Sequence, residues 1–227
     1  MGWNQCRYGW DNFDVVKGVV QKYKDNQIPF DVIWNDIDYM DSYADFTVGA
    51  KYAGLKAFID QCHTEGMHFV PIIDAGIKVD ANDAIYGERE AKGAYIKSAK
   101  TKKSLVGLVW PGPAVFGDFY HPYMEGVWIN GYKRLDSLVK FDGIWLDMNE
   151  VANFCSGCSS NPGGDEEDDN HSPNEFDNLP FTPRNQNLND KCVSVTGYHY
   201  SNNNDEDKVR KEYNTHNLFG IIKCCHL

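Results

Sequence analysis

The sequence predicts an α/β fold built on a parallel sheet, and two observations predict it. Apolar runs rich in Val, Ile, Phe and Trp begin near Phe30, His68 and Gly143, and each run ends in acidic residues. Continuous apolar runs, as opposed to alternating ones, are typical of strands that are covered on both faces of a parallel sheet. Amphipathic segments with a helical period fill the gaps between the runs, which is the order expected of right-handed βαβ units.

Four strands and three helices follow from these patterns. The predicted strands are a short, poorly defined one over 3–8, "FDVIWNDID" from Phe30, "HFVPIIDAGI" from His68 and "GIWLDMN" from Gly143. The first helix is predicted after Asn12, which can cap it, and ends before Pro29. The second, "YAGLKAFIDQCHTEG", is predicted to stop at Gly66, and the third, "EGVWINGYKRLDSLVKF", precedes the last strand.

The periodic pattern stops after Phe154. Residues 155–212 are polar, with Gly, Pro and Asn throughout, and they are too long for an ordinary connection between two elements. This segment is predicted to be a long irregular surface loop, partly disordered around the acidic run 165–169.

Charge and composition exclude some classes of partner. The formal net charge of −11 disfavours nucleic acid and anionic membranes, both of which need a basic surface. The sequence has no apolar run of transmembrane length, so no membrane insertion is predicted. Its seven cysteines include one C-x-x-C pair, and no second C-x-x-C or H-x-H pair accompanies it, which does not favour a zinc site.

Acidic residues follow the predicted strands at the points where the strands end. They are Asp36 and Asp38, Asp74, and Asp147 with Glu150. Because the carboxyl ends of parallel strands share one edge, we expect these side chains to gather there. The alternative for any one of them is a helix cap or a partner of Arg or Lys.

Clustered carboxylates without His or Cys ligands suit glycoside hydrolysis, in which one acid attacks and another moves protons. A phosphoryl-transfer enzyme would show G-x-x-x-x-G-K-[ST], and a serine hydrolase would show G-x-S-x-G. Neither motif occurs in this sequence. Residue chemistry alone therefore predicts an acid-rich α/β barrel enzyme.

Several long motifs in register resemble glycoside hydrolase family 31, the family of lysosomal acid and intestinal maltase or sucrase α-glucosidases. The motifs are "CRYGW" (6–10), "IPFDVIWNDIDYMDSYADFT" (28–47), "FVPIIDAGI", "VWPGPAVFGDF" (109–119), "GIWLDMNEVANFC" and "YNTHNLFG" (213–220). The resemblance implies a partial (β/α)8 TIM barrel, roughly its first four βα units. Residues 1–227 would then form one incomplete catalytic domain.

The resemblance also assigns roles to residues. Asp147 corresponds to the catalytic nucleophile, and Glu150 is expected to orient it and the following loop. A carboxylate suits the nucleophile because it is ionised near neutral pH and can form a glycosyl ester. The residues that match the sugar subsite are Tyr8, Asp36, Ile37, Ile72, Trp110, Trp145 and Met148. For Ile72 and Trp145, the alternative is that they are simply barrel core.

The cysteines of the long loop resemble a disulfide of relatives from the secretory route. Cys192 would pair with Cys155 or Cys158, and reduced thiols are the alternative. No cofactor is expected, because the reaction needs two carboxyl groups and water. The expected partner is an oligosaccharide or another α-glucoside.

The family's acid/base aspartate lies in a Gly-Asp-Asn motif that these 227 residues do not contain. We therefore expect a piece of a retaining, exo-acting α-glucosidase that carries the nucleophile half, with a lysosomal or secreted parent. The alternative is an inactive fragment that binds sugar weakly or has no function. The chain itself carries no targeting signal that we recognise.

Overall fold

The computed structural model describes residues 2–83, 85–87, 93–98, 101–149, 154, 198–200, 210–211, 221 and 223. They fall into two compact units. The first unit is Met1–Asp74 with Asn130–Asp147, and the second is Ala75–Ile129 with Met148–Leu227.

In chain order the elements are β1 (Asn4–Gln5), α1 (Phe13–Asp25), β2 (Val32–Asn35), α2 (Leu55–Thr64), β3 (His68–Ile73), β4 (Gly76–Lys78), β5 (Val106–Val109), β6 (Gly112–Phe116), α3 (Met124–Leu138), β7 (Trp145–Leu146), β8 (Tyr198–His199) and β9 (Arg210–Lys211). Two short 3₁₀ turns lie between β2 and α2, at Ile37–Tyr39 and Ala50–Tyr52.

The first unit is built on a four-stranded parallel sheet. Its strand order is β1-β2-β3-β7, and every neighbouring pair is parallel. Ile33 pairs with Phe69 across β2 and β3, and Ile72 pairs with Trp145 across β3 and β7. The predicted parallel α/β architecture is confirmed, and the sheet has the form of a half-barrel.

The helices of the first unit begin and end near the predicted residues. The Asn12 side chain accepts a hydrogen bond of 3.2 Å from the Val15 backbone N–H and so caps α1, as its sequence predicts. The buried face of α1 carries Val16 and Val20, and that of α2 carries Leu55, Ile59 and Cys62. Each fully buried aliphatic side chain stabilises the fold by about 1.5–3 kcal/mol.

The predicted strand from His68 ends where its apolar run meets Asp74, since β3 extends as far as Ile73. The chain then leaves the parallel sheet, and Gly76–Lys78 form β4 in another sheet. The sequence patterns did not predict that second strand.

The second unit contains an antiparallel sheet of order β4-β6-β5, which the sequence patterns did not predict. Strands β5 and β6 are joined by the two residues Trp110 and Pro111, and Gly112 follows with a φ of +93°. Glycine adopts this left-handed backbone without the steric cost that other residues bear. At Gly76 a Cβ atom would lie 2.6 Å from the Val109 side chain, so close approach of the strands also requires glycine there.

Most of the predicted loop over 155–212 lies outside the described residues. Within it, β8 and β9 form a short antiparallel pair, and the Tyr200 backbone N–H donates to the buried Asp118 carboxylate. Among the helices that the structure describes, none is long and apolar enough to cross a lipid bilayer.

Candidate active site

Three carboxylates follow the carboxyl ends of three adjacent parallel strands. Asp36 comes directly after β2, Asp74 after β3 and Asp147 after β7. Parallel strands place these ends at the same edge of the sheet, which is where α/β enzymes bind their ligands. The predicted gathering of acids is therefore present for these three residues.

Asp147 lies within electrostatic reach of Asp36. Burial raises the pKa of Asp36; the Ile37 backbone N–H opposes this rise, and the carboxylates of Asp38 and Asp147 add to it. Asp147 remains partly exposed, and its backbone N–H donates to the Ile73 carbonyl over 3.2 Å. The edge of the sheet thus presents two carboxylates to solvent within electrostatic reach of each other.

The turn after β1 is connected to the same edge. The Gly9 N–H donates to the Asp38 carboxylate over 2.8 Å. Tyr8 is 50% exposed, and its hydroxyl is hydrogen-bonded to that of Tyr43, which raises the pKa of Tyr43. An exposed tyrosine ring beside carboxylates offers an apolar face to a ligand and a polar tip to water.

The apolar residues predicted at the site differ in their exposure. Trp145 is partly exposed, and its ring packs edge-to-face on Trp34 with centroids 6.1 Å apart. Ile37 and Ile72 are only 2% and 1% exposed. Their side chains pack in the core beneath the edge, without the exposed surface that direct contact with a ligand requires.

Two further predicted residues belong to the second unit. Trp110, at the turn between β5 and β6, is 40% exposed and packs edge-to-face on Phe154 with centroids 5.3 Å apart. Met148 directly follows Asp147 and has a φ of +55°, an unfavourable backbone conformation for a side chain of its kind.

Sequence patterns missed Asp45, a carboxylate beneath the edge. Asp45 is 4% exposed, and its Oδ1 accepts a 2.9 Å hydrogen bond from the backbone N–H of Asp74. Burial raises the pKa of Tyr39 well above its ordinary value, and the charges of Asp45 and Asp74 add to the rise. The loop that carries Asp45 shows no apolar period, so its sequence gives no signal of this role.

Several predictions fall outside the described residues. These are the supporting role of Glu150 and the pairing of Cys192 with Cys155 or Cys158. In the part of the chain that the structure describes, Cys6 and Cys62 are free thiols. Burial, together with Asp36, raises the pKa of Cys6 to about 11. No group of His, Cys, Asp and Glu in the same part is arranged to hold a metal ion.

Comparison with known proteins gives one consistent family. Residues 1–224 match the model of the glycosyl hydrolases family 31 TIM-barrel domain. The chain is 44% identical over 167 residues to α-xylosidase 1 of Arabidopsis thaliana, a match that covers 72% of this chain and 18% of that protein. It is 38% identical over 161 residues to the lysosomal acid α-glucosidase of Tetrahymena pyriformis, covering 69% of this chain and 17% of that protein.

A solved structure shows the same fold. A chain in a crystal structure of the ER glucosidase II heterodimeric complex superposes with a TM-score of 0.75 and 24% identity. This superposition covers 99% of this chain and 20% of the other. The chain therefore spans about a fifth of the length of the proteins that it resembles.

Proposed function

The chain belongs to glycoside hydrolase family 31, and on this basis we propose that it is the nucleophile-bearing part of a retaining, exo-acting α-glucosidase. Asp147 is the nucleophile, and Glu150 supports it. The proposed substrate is an oligosaccharide from which a terminal α-linked glucose is released. The single observation that carries the proposal is that Asp36 and Asp147 follow β2 and β7 at the same edge of the parallel sheet, on either side of β3.

The sugar subsite is proposed to form around these two carboxylates. Asp36 accepts hydrogen bonds from sugar hydroxyls, and Trp145 and Tyr8 present apolar ring surface to the C–H faces of glucose. Trp110 and Met148 are proposed as further apolar contacts. Ile37 and Ile72 support the subsite from the core, since both are nearly inaccessible.

The proposed chemistry has two steps. A carboxylate oxygen of Asp147 forms a bond to C1 of the sugar while the glycosidic C–O bond breaks, and the leaving oxygen takes a proton from a carboxylic acid. Water then cleaves the ester, with net retention at C1. We propose that the proton donor comes from sequence outside these 227 residues, because the family's Gly-Asp-Asn motif does not occur among them.

A fluoride leaving group separates the role of Asp147 from that of the missing acid, since fluoride departs as an anion without a proton. We expect 5-fluoro-α-D-glucosyl fluoride to label the 227-residue chain. Asp147 forms a bond to C1, the C1–F bond breaks, and the glycosyl ester accumulates because the remaining fluorine slows its hydrolysis. Intact mass spectrometry detects the ester, and peptide mapping locates it.

Two variants sharpen this experiment. Asp147→Asn should abolish labelling, whereas Asp60→Asn, which changes a half-exposed carboxylate on α2, should leave it unchanged. Labelling at a residue other than Asp147, or a folded chain that is not labelled at all, would refute the proposed role of Asp147.

An α-xylosidase is the second candidate, favoured by the 44% identity to the Arabidopsis protein. Xylose lacks the hydroxymethyl group of glucose, so the two sugars differ in the volume that the subsite must accept. Faster labelling by the corresponding 5-fluoro-xylosyl fluoride would favour this candidate over the α-glucosidase.

The cellular location and the class of ligand are proposed on weaker grounds, from a relative's name and from net charge. We propose a lysosomal or secreted location for the parent protein, and the name of the Tetrahymena relative supports the lysosomal one. The net charge of −11 supports a neutral sugar rather than nucleic acid as the ligand. The proposed reaction requires no cofactor.

A further inference from the structure

A second polar cluster of the first unit lies at the opposite end of the sheet from Asp147. It joins three segments, because His63 lies in the last turn of α2, His68 is the first residue of β3, and Asp142 precedes β7. Asp142 lies five residues before Asp147, which corresponds to roughly 16 Å of extended chain.

Asp142 is bound on several sides. Its carboxylate accepts a 2.7 Å hydrogen bond from the Phe69 backbone N–H. His63 Nε2 lies 2.8 Å from Oδ2 of the same carboxylate, and His68 Nδ1 lies 3.2 Å from Oδ1. Burial alone would raise the pKa of Asp142, but the Phe69 N–H and the two imidazoles outweigh it and hold that pKa below its ordinary value. The carboxylate is therefore held in its charged form.

The backbone of Asp142 is also hydrogen-bonded to Phe69, the second residue of β3. Its N–H donates to the Phe69 carbonyl over 2.9 Å, so Asp142 and Phe69 are joined by one main-chain bond and one side-chain bond. The bond from the Asp142 N–H spans 73 positions, whereas the ladder bond from the Asp147 N–H to the Ile73 carbonyl spans 74, so Asp142 lies outside the ladder. Its contacts therefore anchor the segment before β7 at the start of β3, and they help to hold the alignment of the two strands.

This alignment decides which way Asp147 points. Strand β7 contributes only two ladder residues, so its own pairing specifies the register weakly. A slip by one residue turns every side chain of a strand to the opposite face. Such a slip would turn the Asp147 carboxylate to the opposite face of the sheet and change its position relative to Asp36.

From these contacts we propose that Asp142 is a positioning residue, which fixes the register of β7 on β3 with the help of His63 and His68 and so keeps Asp147 beside Asp36. The inference rests on the proposed function only for its consequence in catalysis. The register itself is independent of any sugar chemistry.

Hydrogen exchange tests the register directly. The Asp147 N–H donates to the Ile73 carbonyl at the far end of the pairing, so its exchange rate reports whether β7 is aligned. We expect Asp142→Ala to accelerate exchange of this amide by about tenfold or more, because a charge-assisted hydrogen bond is lost at the other end of the strand. Asp142→Asn keeps an oxygen that can accept from the Phe69 N–H, and it should fall between Asp142→Ala and the unchanged chain.

Labelling by 5-fluoro-α-D-glucosyl fluoride provides the second readout. The rate constant for forming the ester should fall about tenfold in Asp142→Ala, while the reagent concentration that gives half the maximal rate changes little. Asp60→Ala is the matched control, since it removes a half-exposed carboxylate of α2 that is paired with Lys56. If Asp142→Ala does not fold, Asp142→Asn and His68→Gln take its place, because the His68 side chain is 58% exposed.

Unchanged exchange of the Asp147 amide would overturn the proposal, whatever the reagent does. Acceleration spread equally over β1 and β2 would also overturn it, because that result means general destabilisation. Acceleration confined to β7 supports the positioning role even if the unchanged chain is never labelled. That last result would refute the proposed function alone.

Discussion

Replacing Gly131 with alanine should destabilise the chain, because α3 passes very close to a buried ring at this residue. A Cβ atom on Gly131 would lie 2.7 Å from both Cε2 and Cζ of Phe46. Phe46 cannot easily move away, since it is fully buried and packs edge-to-face on Tyr132 with centroids 5.2 Å apart.

The distances around Gly131 give an estimate of the change in the free energy of unfolding. Ordinary carbon contacts begin at 3.4 Å, so the helix and the ring must separate by roughly 0.7 Å, the difference between the two distances. Overpacking of this kind costs about 1–3 kcal/mol. Alanine is favoured over glycine in a helix by about 1 kcal/mol, which offsets part of the cost. The net destabilisation is therefore expected to be about 0–2 kcal/mol.

Gly18→Ala isolates the packing cost. Gly18 lies within α1, and a Cβ atom there would meet no heavy atom within 4 Å. It should therefore show only the helical gain. Urea unfolding followed by circular dichroism should find Gly131→Ala less stable than Gly18→Ala by about 1–3 kcal/mol. A Gly131→Ala variant as stable as Gly18→Ala would refute the close packing of α3 on Phe46.

Three further outcomes are expected. Because the pKa of Asp36 is raised, the folded state binds the Asp36 proton more tightly than the unfolded state does. The free energy of unfolding should therefore fall as the pH rises from the unfolded-state pKa of 3.8 through the higher pKa of the folded state. Asp36→Asn should remove this decrease when the free energy of unfolding is measured between pH 3.5 and 7, and it should also slow labelling of Asp147. An unchanged pH dependence would contradict the raised pKa of Asp36. Tyr39→Phe removes a buried hydroxyl that donates to the Ile72 carbonyl over 2.9 Å. It should lower the free energy of unfolding in urea by about 0.5–1.5 kcal/mol, and an unchanged free energy would argue against that hydrogen bond. The 227-residue chain alone should not hydrolyse maltose or an aryl α-glucoside in a glucose-release assay, because the family's Gly-Asp-Asn motif does not occur in it. Robust turnover would contradict the proposal that the proton donor lies outside these residues.

The parallel half of the fold could be predicted because its signals are local. Asn12 caps α1 through a hydrogen bond within four residues, and the apolar stripe of that helix depends only on spacing along the chain. The strand ends could also be located, since each apolar run stops at a carboxylate such as Asp36 or Asp147. Parallel pairing then places these ends at one edge without knowledge of any particular contact.

The antiparallel sheet could not be predicted in the same way. Strands β4 and β6 pair across about forty residues, and β4 is only three residues long, too short to show a pattern of its own. Asp45 and Asp142 were missed for a related reason. The Asp45 carboxylate accepts a hydrogen bond from the Asp74 N–H, and the Asp142 carboxylate accepts one from the Phe69 N–H. Both donors are distant in sequence, so neither contact leaves a local pattern.

The loop that carries Asp45 has an unusual backbone. Ser42, Tyr43 and Phe46 all have positive φ, between +52° and +62°, although none of them is glycine. A left-handed backbone conformation costs such residues roughly 1–2 kcal/mol each. The backbone of this short turn is therefore strained, and the packing around it must offset that cost. Engineering for thermal tolerance should therefore begin at Ser42, the exposed member of the three, where glycine would relax the chain without disturbing a buried ring.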